Sequence, residues 1–151
     1  MARRAAREGE RLKVELAAMR AMAECGLIPK EVPQRAARKA KIDVARILEI
    51  EAKTHHDVAA FVDQVAAGLG EDGRYFHFGL TSSDVLDTAF ALQLREAADL
   101  LLARVETLLA VAKAKALEHS HTVMVGRSHG IVAEPSTLGH KFALWAFELD
   151  R

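Results

Sequence analysis

Apolar residues recur at alternating steps of four and three along most of this chain, the spacing of helices that each bury one face. Leu12, Leu16, Met19 and Ala23 form the first stripe and predict a helix over about Arg3–Cys25, capped by Gly26 and stopped by Pro29. Lys30–Ala40 predicts a short helix that tolerates Pro33 only in its first turn. Asp43 is placed to cap a helix over Val44–Lys53, with Ile42 and Ile47 at the two positions of a hydrophobic staple. A further helix starts near Thr54–Asp57. Its stripe of Val58, Phe61, Val62, Val65 and Leu69 ends at the Gly68, Gly70 and Gly73 cluster. Arg74–Thr81 alternates only weakly and reads as a connector.

From Ser83 to about Glu118 there is neither glycine nor proline, and Leu86, Phe90, Leu94, Ala97, Leu101, Val105, Leu108 and Ala112 hold the four/three spacing throughout. Such a helix is about 50 Å long at 1.5 Å per residue, whereas a globule of this mass is roughly 30 Å across. Leu92, Leu100, Leu102, Leu109 and Val111 lie outside the stripe, so more than one face calls for burial. The rod therefore belongs to an elongated bundle completed by other segments or subunits. His119–Val132 is a break of extended character. Pro135 is then placed at the start of a last helix through Lys141, Phe142, Trp145 and Leu149, with no closing cap before Arg151. The fold class is all-α: an N-terminal helical domain over 1–82, followed over 83–151 by the first long helices of an incomplete central bundle.

Composition narrows the setting. Half of the 151 residues are apolar, and 21 basic residues balance 21 acidic ones, so no field of either sign points to nucleic acid or an anionic membrane. Three arginines in the first eight residues read as a frayed helix end. The single cysteine, Cys25, excludes an intramolecular disulfide framework, fits a reducing cytoplasm and is expected as a packed core thiol. No run approaches the roughly 18 to 20 apolar residues of a membrane span, and the start lacks the apolar stretch of a signal peptide. A cytoplasmic protein is expected.

Three polar clusters fall at predicted boundaries of helix and loop, where side chains and unpaired backbone donors can face a ligand. Thr54-His55-His56-Asp57 offers a proton-transfer imidazole with a neighbouring carboxylate that could set its tautomer; it also has the make-up of a helix cap. Gly79-Leu80-Thr81-Ser82-Ser83-Asp84 precedes the long helix. Its hydroxyls and free N–H groups suit a carboxylate or phosphate, and one hydroxyl is expected as the N-cap in any case. Gly126-Arg127-Ser128-His129-Gly130, followed by Ala133-Glu134-Pro135-Ser136-Thr137, frames a histidine with glycines that permit a tight turn and close approach of a substrate; a buried structural histidine is the alternative. His119 and His121 with the His55/His56 pair supply four imidazoles, but neither spacing is a zinc signature and no cysteine assists, so no metal is expected. Walker, dinucleotide and Gly-X-Ser-X-Gly motifs are absent from the sequence.

In this order, Thr54-His55-His56-Asp57-Val58, Gly79-Leu80-Thr81-Ser82-Ser83-Asp84-Val85 and Gly126-Arg127-Ser128-His129-Gly130 through Ala133-Glu134-Pro135 resemble the adenylosuccinate lyase family. Gly26-Leu27-Ile28-Pro29 and Arg46-Ile47-Leu48-Glu49-Ile50-Glu51 resemble its N-terminal region, so the resemblance covers nearly the whole chain. It implies a homotetramer of long helices whose active sites each draw on three subunits. It also implies a nucleotide substrate, adenylosuccinate or the succinylated carboxamide ribotide of purine synthesis, cleaved by β-elimination to release fumarate with no cofactor. By resemblance His129 is the general acid, and His56 is a second histidine that contacts substrate. Thr81 and Ser82 bind a succinyl carboxylate, Ser128 is a further contact, and Asp57 and Glu134 stand in support.

Some positions depart from the family pattern. An Arg-Tyr-Ser block that helps hold the nucleotide phosphate has no counterpart before Arg11, Ser128 replaces the usual threonine, and His55 stands where many members have arginine. The serine base of the family lies on a loop expected beyond Arg151, so the 151 residues alone are expected to lack turnover. The alternatives are a non-catalytic helical association module and a lyase of another fumarate-yielding compound.

Overall fold

The computed structural model describes residues 2–151, 74% of them helical. The elements run α1 (Ala2–Glu24), α2 (Val32–Lys39), α3 (Val44–Thr54), α4 (Asp57–Leu69), a 3₁₀ turn (Gly70–Tyr75), α5 (Ser82–Glu118), β1 (Val123–Ser128), β2 (Ile131–Thr137) and α6 (Leu138–Asp150). The chain divides into two compact units, Met1–Arg95 and Glu96–Arg151.

The core of the first unit draws on the stripes expected from the spacing, with further residues beside them. Met19 and Ala23 of α1, Val32 and Ala36 of α2, Ile47 of α3, and Ala60, Phe61, Val65 and Leu69 of α4 are buried with Ile28 and Phe76, and Leu12 and Leu16 pack against them. Local chemistry sets the ends of the helices. Gly26 takes a left-handed φ of 74° after α1, and Pro33 sits in the first turn of α2. Asp43 accepts a hydrogen bond from the Arg46 N–H at the start of α3. Ile47 is buried and Ile42 packs against the same core, as a staple requires. Arg35 of α2 holds Asp72 of the 3₁₀ turn through two hydrogen bonds of 2.8 and 2.6 Å, and that guanidinium keeps the Asp72 carboxyl below the usual carboxylate range. Val85 and Ala89 bury the first turns of α5.

Two expectations for this unit need correction. Cys25 is exposed rather than packed, because it falls in the turn after the last residue of α1. The arginine-rich start is ordered helix: Arg4 pairs with Glu8 and with Glu51 of α3, and Arg7 pairs with Glu8. Buried acids on the next turn of α1 give these arginines partners that a frayed end would lack.

In the second unit α5 ends at Glu118 and the chain folds into an antiparallel hairpin, β1 with β2, before α6. Pro135 therefore lies in β2, opposite Val125, and does not start a helix. The helix begins three residues later, where the Thr137 hydroxyl accepts from the His140 N–H at 3.1 Å. A proline fits either place, since a two-stranded ribbon consists of edges and needs no N–H there. The start of α6 is tied to the turn after α5 by Leu138 N–H to Thr122 C=O (2.9 Å) and Gly139 N–H to His119 C=O (2.9 Å). A Cβ on Gly139 would lie 2.5 Å from the Ala116 carbonyl oxygen, so only glycine permits this approach. Phe142 stacks on His119 and meets Trp145 edge-on, with centroids 6.1 and 5.4 Å apart. Much of the long apolar stripe stays uncovered: Phe90 is 58% exposed, Leu101 65% and Leu108 53%.

Candidate functional site

Each polar cluster sits where a turn or helix start was expected, and each is held by a different device. His56 is the N-cap of α4, and its Nδ1 accepts the Ala59 N–H at 3.2 Å. An accepting Nδ1 places the proton of the neutral ring on Nε2, so the cap itself selects the tautomer. The neighbouring carboxylate was expected to do this and does not. Asp57 instead accepts from Arg11 Nη2 of α1 at 2.6 Å. Burial would raise the Asp57 carboxyl, but the hydrogen bond and charge of Arg11, with the Val58 N–H, hold it below its ordinary value. His55 closes α3 in the left-handed region with φ 53°.

Thr81 and Asp84 close the start of α5 reciprocally. The Thr81 N–H and hydroxyl both donate to Asp84 Oδ2, at 2.7 and 2.8 Å, and the Asp84 N–H points back to Thr81 Oγ1 at 3.4 Å. This is a capping box with aspartate in the acid's place. The two Thr81 donors draw the Asp84 carboxyl below its ordinary value. Thr81 is thus the expected cap, while Ser82, the first residue of α5, makes no side-chain hydrogen bond among the described residues.

His129 and Gly130 form the two-residue turn of the hairpin, between the paired Ser128 and Ile131. Their φ values of 55° and 76° put both in the left-handed region, the signature of a type I′ turn, which matches the twist of the strands it joins. The glycine framing thus marks a tight turn, and His129 stands exposed at its tip, not in a core. Among the described residues its imidazole has no hydrogen-bond partner. On the strands behind it, Ala133 and Glu134 oppose the single residue Gly126, a bulge that re-aims the ribbon. A Cβ on Gly126 would collide with the Glu134 carbonyl oxygen. Ser128 and Glu134 are both exposed.

One pair had not been singled out in the sequence. Glu15 of α1 is fully buried, and His77 donates its backbone N–H to Glu15 Oε2 at 3.0 Å while its Nδ1 lies 2.6 Å from Oε1. Burial pushes the Glu15 carboxyl above its ordinary value despite the opposing pull of His77. The signal available was a histidine two residues before Gly79 in the second cluster. Its partner lies 62 residues away, beyond any local pattern. Within the first unit, then, the His56 and Thr81 clusters each rest on α1, through Asp57–Arg11 and through His77–Glu15. The His129 cluster is built separately, within the second unit. Among the described residues no group of three or more His, Cys, Asp or Glu side chains is arranged to hold a metal ion, and no helix is long and apolar enough to cross a membrane.

The helical chain, with its polar clusters at helix starts and a tight turn, belongs to the Lyase family, whose model matches residues 2–151. It is similar to adenylosuccinate lyase of Bacillus subtilis, 49% identical over 140 residues, and to that of Synechocystis sp., 52% identical over 140 residues. Each match covers 93% of this chain and 32% of the relative, so the chain spans about a third of the length of the curated relatives it matches. Among solved structures it is similar to a fumarate lyase from Mesorhizobium sp. BNC1, with a TM-score of 0.90 and 33% identity, over 96% of this chain and 35% of that one.

Proposed function

We propose that this chain is the N-terminal part of an adenylosuccinate lyase, contributing part of an active site that eliminates fumarate from adenylosuccinate and from the succinylated carboxamide ribotide of purine synthesis. The observation that carries the reading is the 49–52% identity to adenylosuccinate lyases across 93% of the chain. The 33% identity to the fumarate lyase supports the wider family and not a particular substrate.

The reaction removes a proton beside a carboxylate, lets charge build on that carboxylate and protonates the departing nitrogen. His129 is the acid in this reading, and an imidazole that stands exposed at the tip of a tight turn suits that task. His56 is the second histidine in contact with substrate, with its Nε2–H available because Nδ1 is engaged in the cap. Thr81 and Ser82 receive a succinyl carboxylate at the N-terminus of α5, where hydroxyls and the positive end of the helix favour negative charge. Ser128 is a further contact, Asp57 and Glu134 support the cluster, and no cofactor takes part. The base is supplied by a segment outside these 151 residues. Sites shared among subunits of a cytoplasmic homotetramer, with the domain division near residue 82, complete the reading. The uncovered leucines of α5 support the assembly.

The test is fumarate release by the whole protein that contains this chain. Turnover of adenylosuccinate is expected, and His129→Ala should reduce kcat by about 10²- to 10⁴-fold. A preference for a different succinylated or carboxylated compound in a substrate panel would move the protein elsewhere in the family. The 151 residues alone should give no turnover, and catalysis on the usual scale of about 1 to 1000 per second would overturn the incomplete-site reading.

A further inference from the structure

Arg11 and Glu15 are one turn apart on the same face of α1, and both are buried, at 2% and 0% exposure. Taking charged side chains out of water is costly, and apolar residues would pack the same space as well or better. What the charges add is direction. Arg11 Nη1 is fixed by Glu8 Oε2 at 3.1 Å, leaving Nη2 to hold Asp57. Among the described residues the two oxygens of Glu15 meet only His77, one taking its backbone N–H and the other its ring. His77 is itself left-handed, with φ 60°, and its carbonyl accepts the Leu80 N–H at 3.4 Å within the turn that leads through Gly79 to Thr81. Holding both the amide and the ring of a residue in this conformation leaves the turn one arrangement.

We propose that Arg11 and Glu15 are positioning residues of the lyase reaction: one helical turn of α1 sets where the His56 and Thr81 clusters stand, without either side chain touching substrate. The proposal rests on the functional reading above for what those clusters bind. It goes beyond that reading in giving two buried α1 residues a role in catalysis through the groups they hold. Glu8 with its partners Arg4 and Arg7, Asp57 at the start of α4, and Asp84 across the His77 turn are the other charged groups in this network.

Glu15→Gln keeps the side-chain volume and removes the charge; Glu15→Asp keeps the charge and shortens the reach. Arg11→Lys keeps charge but loses the forked geometry. Amide and imidazole NMR spectra of the 151-residue protein should show Glu15→Gln shifting His77, Thr81 and Ser82 together, and Arg11→Lys shifting His56 and Asp57. In the whole protein, Glu15→Gln should lower kcat by about 10- to 100-fold with a smaller change in KM, as a misplaced contact does, and Glu15→Asp should recover part of the loss. Unmoved Thr81 and Ser82 resonances in Glu15→Gln overturn the proposal whether or not the protein turns over. So does an active wild type whose Glu15→Gln variant keeps kcat within about twofold. A wild-type protein that releases no fumarate from any succinylated nucleotide sinks the functional reading instead, while the spectra still decide whether α1 sets the turn.

Discussion

His56 has two roles that one substitution conflates and two can separate. As the N-cap of α4 it satisfies the Ala59 N–H, and caps of this kind are worth about 0.5–2 kcal/mol. His56→Ala should lower stability by about 1 kcal/mol in urea denaturation, whereas His56→Asn, a strong cap, should hold stability near wild type. If the imidazole serves chemistry, both variants lose fumarate release in the whole protein. If it only caps, His56→Asn keeps it. The two acids linked to α1, Asp57 and Glu15, respond to pH with opposite sign. The folded Asp57 carboxyl lies below its unfolded value of 3.8, so the stability it contributes is present above pH 3.8 and lost as pH falls through the lower folded value. The folded Glu15 carboxyl lies above its unfolded value of 4.5, so its contribution is full below pH 4.5 and lost as pH rises through the higher folded value. Urea midpoints followed from pH 2 to 7 should therefore show Asp57→Asn flattening the acid limb and Glu15→Gln removing a decline that begins above pH 4.5. The sequence exposed the capping role of His56 but not the destination of its neighbour's charge, because Arg11 is 46 residues from Asp57 and nothing local pairs them.

At the scale of elements, the hairpin is the least tolerant structure. Gly130→Ala forces a side chain into a φ of 76° and should cost about 1–2 kcal/mol. Gly126→Ala should cost more, since its Cβ meets a backbone carbonyl that cannot swing away. Denaturation followed by the fluorescence of Trp145 reports on this unit and should rank Gly126→Ala below Gly130→Ala below wild type. The helices were legible because four/three spacing and terminal residues agree: Asp43, Gly26 and the Val58 to Leu69 stripe each mark an element that forms within a residue or two of its expected bounds. The hairpin was visible only as extended character. Most of β1 and β2 is exposed on both faces, so no alternation of apolar and polar residues announces a strand. Pro135 then carried the signal of a helix start although it stands in a strand edge. The glycines around His129 were read correctly as a tight turn. Their two-residue geometry depends on cross-strand pairing, which spacing alone does not encode.

At the scale of the whole chain, large apolar side chains remain on α5 and α6. Leu94, Leu100, Leu101, Leu102 and Leu108 on the first and Leu144 and Phe147 on the second are all more than half exposed. Patches of this kind mark interaction sites in native proteins. The 151-residue protein should therefore self-associate, and sedimentation measurements at increasing concentration should show Leu101→Glu and Leu108→Glu shifting it toward monomer with little change in helix content. A helix in this state also has a clock. Backbone amides exchange with solvent through local openings whose cost follows the packing around them. Around Val85 and Ala89, which are buried, deuterium should enter slowly. Between Leu100 and Leu108 it should enter orders of magnitude sooner, and that gradient should vanish once a partner covers the leucines. One unbroken helix would then record, residue by residue in its exchange times, how far assembly has proceeded.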